Sequence, residues 1–362
     1  MNYNSLVNIY EEYYQNQFPF DQIYKFFSYN NTVDPLLREW SFEALVQDNE
    51  SFIKRFEVVN SAEKLKQLTN NTVDLKLKFD IGPIYSSSIL DRYSKPIVPV
   101  QRELVFDIDS GDFDSVRKCC TGTNMCDKCW RFMECATCIL TLFCQTFGFI
   151  NYIFVFSGRR GLHCWIADSE ARNLPQSIRL NMLKMFELIK VDNGTEIEMI
   201  VPDQFNVNLI VDICEKFFMV MCDEQNWLQN GDIEKFAEKA NKWKGKKLFP
   251  IINAKNVGQL KLKLSSDAWR FLVVYFVYPR FDIEVTKSMN HLLKIPFSVH
   301  SKTLFVACPI NPMPILQEYN VQLDCKKYEN LKRRYVFSRP VKYSDDIKEY
   351  VAFFDEFLNE IK

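Results

Sequence analysis

A chain of 362 residues, 47% hydrophobic and 25% charged, is long enough for one large domain or two smaller ones with an ample core, and its composition is that of a soluble globular protein. Its longest apolar run, Phe271 to Tyr278, falls far short of the roughly 20 residues a membrane-crossing helix needs, and Met1-Asn2-Tyr3-Asn4-Ser5 lacks the basic-then-apolar order of a secretory signal. Twelve cysteines in such a chain point to reduced thiols and a metal rather than a disulfide framework, in a cytosolic or nuclear compartment, and a formal net charge of −1 leaves any grip on nucleic acid to local basic patches and a partner.

Leu6, Ile9, Tyr10, Tyr13 and Tyr14, then Ile23, Phe26 and Phe27 beyond Pro19, sit at helical spacing and predict two helices with a kink between them. Arg38 to Glu43 alternates as a short strand, and residues 48–70 read as polar and locally helical. In Phe79-Asp80-Ile81-Gly82-Pro83, Asp80 either orients a substrate group or closes the turn before Gly82-Pro83.

Arg102 to Asp109 reads as a buried strand. Alternation puts Leu104, Phe106 and Ile108 on one face and Val105, Asp107 and Asp109 on the other. At about 3.3 Å of rise per residue the two carboxylates lie about 6–7 Å apart, close enough to grip a pair of divalent ions. Alone, an Asp-x-Asp is equally well a strand end meeting an acidic turn, here Asp112 and Asp114.

The cysteines follow directly. Cys126 and Cys129 form the close pair that wraps a tetrahedral Zn²⁺, and Cys119 and Cys120 supply two more thiolates across a loop containing Gly122. Cys135 and Cys138 form a competing pair, but they lie in Trp130 to Phe147, where Phe132, Cys135, Ile139, Leu142 and Phe143 share one helical face. They are expected to be core thiols.

Tyr152 to Phe156 and Leu162 to Ala167 are apolar strands joined by Ser157-Gly158-Arg159-Arg160-Gly161. One expectation is a hairpin whose arginines face solvent; the other is a phosphate-binding corner, with glycines that let backbone approach a triphosphate and Arg159, Arg160 and His163 as donors. From Asp168 to Lys263 the chain reads as largely helical and charged, with amphipathic segments around Ile178 to Ile189, Val207 to Val220 and Asp232 to Trp243. Phe271 to Tyr278 is expected to be a strand leading to Asp282, with Glu284 on the same face as Asp282. His291 is expected to be structural. Lys326, Lys327, Lys332, Arg333 and Arg334 form a basic cluster, by default a solvated face and otherwise a template or partner surface, before an amphipathic helix within Asp345 to Ile361.

Four of these pieces, in this order, resemble the catalytic small subunit of the archaeal and eukaryotic DNA primase: Arg102 to Asp109, the cysteine group, Ser157 to Trp165, and Pro279-Arg280-Phe281-Asp282-Ile283-Glu284-Val285. The resemblance runs from the amino-terminal helix to about His300. It implies an α+β fold in which a mixed β-sheet catalytic core is flanked by helices and carries a zinc-binding knuckle and a helical insertion. Residues 1–167 would be the first part of the core, with the knuckle at 119–129; 168–263 would be the insertion; 264–362 would complete the core and end in a helix.

The resemblance also implies roles. Asp107, Asp109 and Asp282 would be catalytic and hold two Mg²⁺ or Mn²⁺ ions, and Ser157, Arg159, Arg160 and His163 would bind the incoming nucleotide. Lys294 and His300 would contact its phosphates. Arg38, Glu39 and Asp80 lie in family motifs near the active site and are further substrate-side candidates. Zn²⁺ on Cys119, Cys120, Cys126 and Cys129 would be structural, because four thiolates leave no position for water. The activity implied is that of a DNA-directed RNA polymerase, a nucleotidyltransferase making short RNA primers on single-stranded DNA from ribonucleoside triphosphates. Its partners would be a large primase subunit with an iron–sulfur cluster and, in eukaryotes, a replicative DNA polymerase, with a nuclear location in a eukaryote and a cytoplasmic one otherwise. A primase-polymerase of repair or damage tolerance would share the same carboxylates, and a non-catalytic, zinc-stiffened replication scaffold would keep the knuckle alone. One departure follows His300: Ser301-Lys302-Thr303 runs straight into Leu304-Phe305-Val306, which predicts a tighter hairpin than the Gly-containing turn of many relatives.

Overall fold

A computed structural model of the chain describes residues 7, 10–45, 51–69, 75–186, 188–192, 196–199, 207–244, 248–323 and 340–361. Leu6 and Ile9 of the first helical pattern, and the basic cluster from Lys326 to Arg334, lie outside the described residues. Within them the architecture is α+β, and the expected mixed β-sheet core is two sheets whose strand pairings are all antiparallel.

In the first sheet β1 (Arg38–Leu45) lies between β2 (Ser51–Glu57) and β3 (Leu75–Tyr85), and β4 (Pro99–Gln101) pairs with the far end of β3. In the second, β7 (Gly161–Ile166) lies between β5 (Leu104–Asp109) and β6 (Tyr152–Phe156). A separate hairpin joins β8 (Ile189–Asp192) to β9 (Glu196–Met199). Late in the chain β10 (Leu293–Lys294) returns to the first sheet beside β3, and β11 (Pro309–Ile310) returns to the second beside β6.

β6 and β7 are buried along their whole length, so both faces of the second sheet must be covered. The helices α1 (Phe20–Ser28), α2 (Ala62–Thr69) and α3 (Asp127–Phe147) precede the insertion. Phe106 of β5 meets Phe143 of α3 at 4.7 Å between ring centroids, and Trp165 of β7 meets Phe27 of α1 at 5.6 Å on the other face. Fully burying each such ring is worth roughly 1.5–3 kcal/mol. Because Val105, Asp107 and Asp109 share a face with His163 and Trp165, the acidic groups sit on the α1 side, toward the first sheet.

Residues 168–263, the expected insertion, include α4 (Gln176–Phe186), the β8–β9 hairpin, α5 (Val207–Glu224) and α6 (Asp232–Lys244). These helices match the predicted amphipathic segments of a largely helical stretch, and the hairpin is an element the sequence reading did not anticipate.

Three other expectations are corrected. Phe271 to Tyr278 is not a strand; Phe271 to Val277 lie in α7 (Ser266–Val277), with Tyr278 as its C-cap, and the N-cap Ser265 accepts from the Ala268 N–H at 3.2 Å. A short apolar run does not distinguish strand from buried helix by periodicity. Here the helix wins because both sides of the run are buried, with Trp269 and Phe276 packed on Phe218 of α5. Residues 51–57 form β2 rather than a helix, pairing with β1 as an edge strand that leaves Phe52 and Ile53 exposed. Glu284 does not share a face with Asp282, because a helix, α8 (Ile283–Lys287), begins there; its carboxylate pairs with Lys287 and is 72% exposed. The chain ends in the expected amphipathic helix, α9 (Lys348–Asn359).

Candidate active site

The acidic face of β5 is completed from another segment. Register places Asp107 opposite His163 and Asp109 opposite Gly161. Asp282 reaches the same place because its backbone N–H donates to the Asp107 carbonyl at 3.0 Å, while its side chain caps α8 by accepting from the Val285 N–H at 3.0 Å. Burial first, then Asp282, Asp109 and Asp112, push the Asp107 carboxyl up to about 7, against the pull of Lys294. Carboxylates gathered around a raised Asp107 in this way are a donor set suited to hard divalent cations. Asp109 accepts from the Gly111 N–H at 2.6 Å and pairs with Arg160 Nε at 2.7 Å.

The turn between β6 and β7 faces this acidic group. Ser157 Oγ accepts from the N–H groups of Gly161 at 3.0 Å and Arg159 at 3.4 Å, closing the turn from within. Gly158 has φ +80°, and a Cβ there would meet His300 Cβ, Lys294 Nζ and the Phe305 carbonyl, each at 3.1 Å. Glycine is thus required for conformation and for space. Lys294 Nζ donates to the Ser157 carbonyl. The hairpin after His300 is tight, as the sequence predicts: the His300 N–H donates to Phe305 O at 2.9 Å, and Thr303 Oγ1 donates to Gly158 O at 2.5 Å.

Lys294 reaches the trough from the first sheet, where β10 sets it opposite Asp80. Burial and then Lys78 push its amine down to about 7, although Asp80 and Asp107 oppose the shift. Burial followed by Lys294 lowers both His163 and His300 to about 3, so both imidazoles are neutral at ordinary pH. His163 Nε2 lies 3.5 Å from Asp107 Oδ1; His163 Nδ1, Asp80 Oδ1 and Arg159 Nε are buried without a hydrogen-bond partner. Such unsatisfied buried groups are costly, and they are commonest where a ligand completes them.

Two candidates stand differently. Asp80 pairs with Lys78 at 2.9 Å and belongs to the Lys294 group; burial raises its carboxyl. Glu39 is fully buried but is taken up by Arg55, at 2.7 and 3.1 Å, and by the Tyr85 hydroxyl at 2.8 Å. No hydrogen bond or ion pair among the described residues joins it to the acidic trough. Arg38 turns the other way and pairs with Glu103.

The sulfurs of Cys119, Cys120, Cys126 and Cys129 lie within 4.8 Å of one another, the donor set of a tetrahedral thiolate zinc site. Their loop adjoins the trough, since Arg160 Nη1 donates to the Gly122 carbonyl at 2.6 Å. Cys135 and Cys138 are fully buried in α3, as expected of core thiols.

Sequence reasoning missed Lys78 and Arg117. Lys78 is two residues before Asp80 on β3, a signal lost in the charge alternation of Leu75-Lys76-Leu77-Lys78. Arg117 precedes the cysteines and resembles a solvated charge, yet its side chain is buried.

A model of the DNA primase small subunit family matches residues 106–312. The chain is 33% identical over 349 residues to the DNA primase small subunit of Caenorhabditis elegans, covering 85% of this chain and 83% of that protein. It is 31% identical to that of Drosophila melanogaster, covering 83% and 75%, and 28% identical to that of Schizosaccharomyces pombe (strain 972 / ATCC 24843), covering 83% and 72%.

Proposed function

Because this chain belongs to the DNA primase small subunit family, whose members are DNA-directed RNA polymerases, we propose that it synthesises short RNA primers on a single-stranded DNA template. The reaction is nucleotidyl transfer: the primer 3′-hydroxyl oxygen bonds to the α-phosphorus of a ribonucleoside triphosphate and pyrophosphate leaves with the electron pair of the broken P–O bond. The observation that carries the reading is the meeting of Asp107 and Asp109 with Asp282, from a remote segment, beside a turn that gathers Arg159, Arg160, Lys294 and His300.

Asp107, Asp109 and Asp282 would hold two Mg²⁺ or Mn²⁺ ions. Bound there, the ions would lower the pKa of the primer hydroxyl and neutralise charge developing on the triphosphate. The remaining work is positioning. Arg159 and Arg160 offer forked donors to phosphate oxygens, and His163 and His300 offer neutral N–H donors. Ser157 holds the turn in shape for them. Lys294 regains its full charge as the triphosphate arrives. Asp80 steadies Lys78 and, through the field of both, Lys294; Glu39, the remaining substrate-side candidate, holds Arg55 and the Tyr85 hydroxyl. Cys119, Cys120, Cys126 and Cys129 would hold a structural Zn²⁺.

The family implies a large-subunit partner, here one with an iron–sulfur cluster and, in a eukaryote, a replicative DNA polymerase beside it; the site of action is then the nucleus, and otherwise the cytoplasm. The test is primer synthesis on single-stranded DNA with Mg²⁺ or Mn²⁺, by the chain alone and with its large subunit. A folded Asp107→Ala protein that extends primers at the normal rate would refute the assignment. Extension that favours deoxyribonucleotides would instead point to a repair primase-polymerase.

A further inference from the structure

The cysteine loop and the phosphate corner share one carbonyl. Gly122 O accepts from Arg160 Nη1 at 2.6 Å and from Arg117 Nη2 at 2.9 Å. A carbonyl has two lone pairs and can serve two donors. The two guanidinium groups tolerate each other there because each has its own carboxylate: Asp109 for Arg160, at 2.7 Å, and Asp114 for Arg117, at 2.5 Å. Gly122 has φ +58°, and a Cβ would meet nothing within 4 Å, so glycine is there for its backbone conformation alone.

Arg117 is the fixed member of the pair. Its side chain is 0% exposed, and besides Gly122 it donates to the Asn124 carbonyl at 3.0 Å and to Ser110 Oγ at 3.2 Å. Ser110 follows Asp109 directly, and its N–H donates to the Arg160 carbonyl at 3.2 Å. Cys129 of the sulfur cluster also lies against the Arg117 guanidinium. One buried side chain therefore touches the cysteine loop, the end of the catalytic strand and the acceptor that backs Arg160.

We propose that Arg117 is a positioning residue that couples the four-cysteine loop to nucleotide binding, by holding the Gly122 carbonyl where it sets the direction of Arg160. Arg117 itself touches no substrate. This rests on the assignment of Arg160 to the nucleotide phosphates. A guanidinium held on its far side by a fixed acceptor keeps its remaining donors aimed into the trough; without that acceptor, ordering the side chain falls to the nucleotide. The deficit then appears in binding more than in turnover.

The test is a cycle of Arg117→Gln, Arg160→Lys and the double variant, read by zinc content, melting temperature, calorimetric ATP binding, and KM and kcat for ATP in primer extension. In Arg117→Gln, KM and the ATP dissociation constant rise about tenfold, while kcat falls less than about threefold and zinc content stays at the wild-type value. On the Arg160→Lys background the same substitution adds no more than about twofold, because the two residues act in series. If Arg117→Gln fails to fold, Arg117→Lys, which keeps the charge but loses the fork, is read in the same cycle. Unchanged ATP binding in a folded Arg117 variant, or fully multiplicative effects in the double variant, overturns the coupling. A wild-type protein that binds no ATP overturns the functional assignment instead.

Discussion

Glu103, just before β5, and Asp107, near its far end, are both carboxylates drawn out of water by one strand, yet they titrate in opposite directions. Glu103 is 1% exposed. Burial alone would raise it, but Arg38, whose Nη2 donates to both carboxylate oxygens at 3.0 and 2.9 Å, holds it below the ordinary value with help from the Tyr29 hydroxyl. Asp107 is 28% exposed, and burial followed by the Asp282, Asp109 and Asp112 carboxylates raises it to about 7. The Glu103 charge is matched within the chain by Arg38. At Asp107 the pull of Lys294 does not offset burial and the neighbouring carboxylates, so its charge stays mismatched within the chain. A buried charge matched by its own fold is structural, and one left mismatched marks where the chain acts.

That contrast breaks most visibly if Asp107 is neutralised. Asp107→Asn is expected to lower primer synthesis on the order of a thousandfold or more, as for loss of a group that acts in the transition state. Its stability should change the other way. A carboxyl raised in the folded state binds its proton more tightly there than in the unfolded chain, so it destabilises the fold as pH rises from about 3.8 to 7. With allowance for the water that reaches it, Asp107→Asn should be about 1–2 kcal/mol more stable than wild type at pH 8 and equal to it near pH 3.5. Urea unfolding at the two pH values measures this. An Asp107→Asn protein that is less stable at pH 8 would show that the repulsion is absent.

Glu103→Gln should give the mirror pattern. It leaves Arg38 buried without a counter-charge, stacked only over Phe27 at 5.5 Å, at a cost of about 3–5 kcal/mol at pH 7. Because the Glu103 carboxyl is lowered in the fold, its contribution is present above the unfolded value near 4.5 and is lost as pH falls through the lower folded value. Wild type and variant should therefore converge in strong acid, while primer synthesis per folded molecule stays within a few fold of wild type at pH 7. A variant that keeps its stability but loses activity would place Glu103 in the functional group.

The strength of each local signal decided how much of this could be read in advance. Period-two alternation carried β5, and two apolar runs bounding the Ser157 to Gly161 turn carried β6 and β7, because these signals are written in consecutive residues. Cysteine spacing carried the four-sulfur cluster in the same way. Phe271 to Tyr278 failed because a run apolar on every side looks alike as strand or helix, and the deciding contacts come from α5, far away in sequence. The wrong assignment then misplaced Glu284, since a strand repeats every second residue and the helix α8 does not. Arg38 is set by Glu103, far away in sequence, while Lys78 and Arg117 are set by Asp80 and Gly122, near in sequence but brought into contact only by the folded geometry.

The cysteine loop allows an intermediate test, since it belongs to neither end of β5 but leans on the acidic one. Cys126→Ser should lose zinc and lower the melting temperature by about 5 °C, the scale expected for a few kcal/mol in a chain this long. ATP binding should weaken with it. Retained zinc in the variant would mean that another group ligates the ion.

The smallest effect is a proton. Lys294 is held near 7 by burial and by Lys78, against an ordinary value of 10.5, so at pH 8 most of its amine is neutral in the free protein. A triphosphate placed beside it reverses the electrostatic balance and draws a proton onto Nζ. ATP binding at pH 8 should therefore take up a sizeable fraction of a proton, and at pH 6, where the amine is already charged, almost none from this group. Calorimetry in two buffers of different ionisation enthalpy measures the uptake directly, and Lys294→Met should abolish the pH 8 component. Burial lowers His163 and His300 first and the same lysine adds to it, so removing Lys294 relieves only part of the shift and leaves both imidazoles below their ordinary value. Uptake that stays at pH 8 in Lys294→Met would assign it to another group.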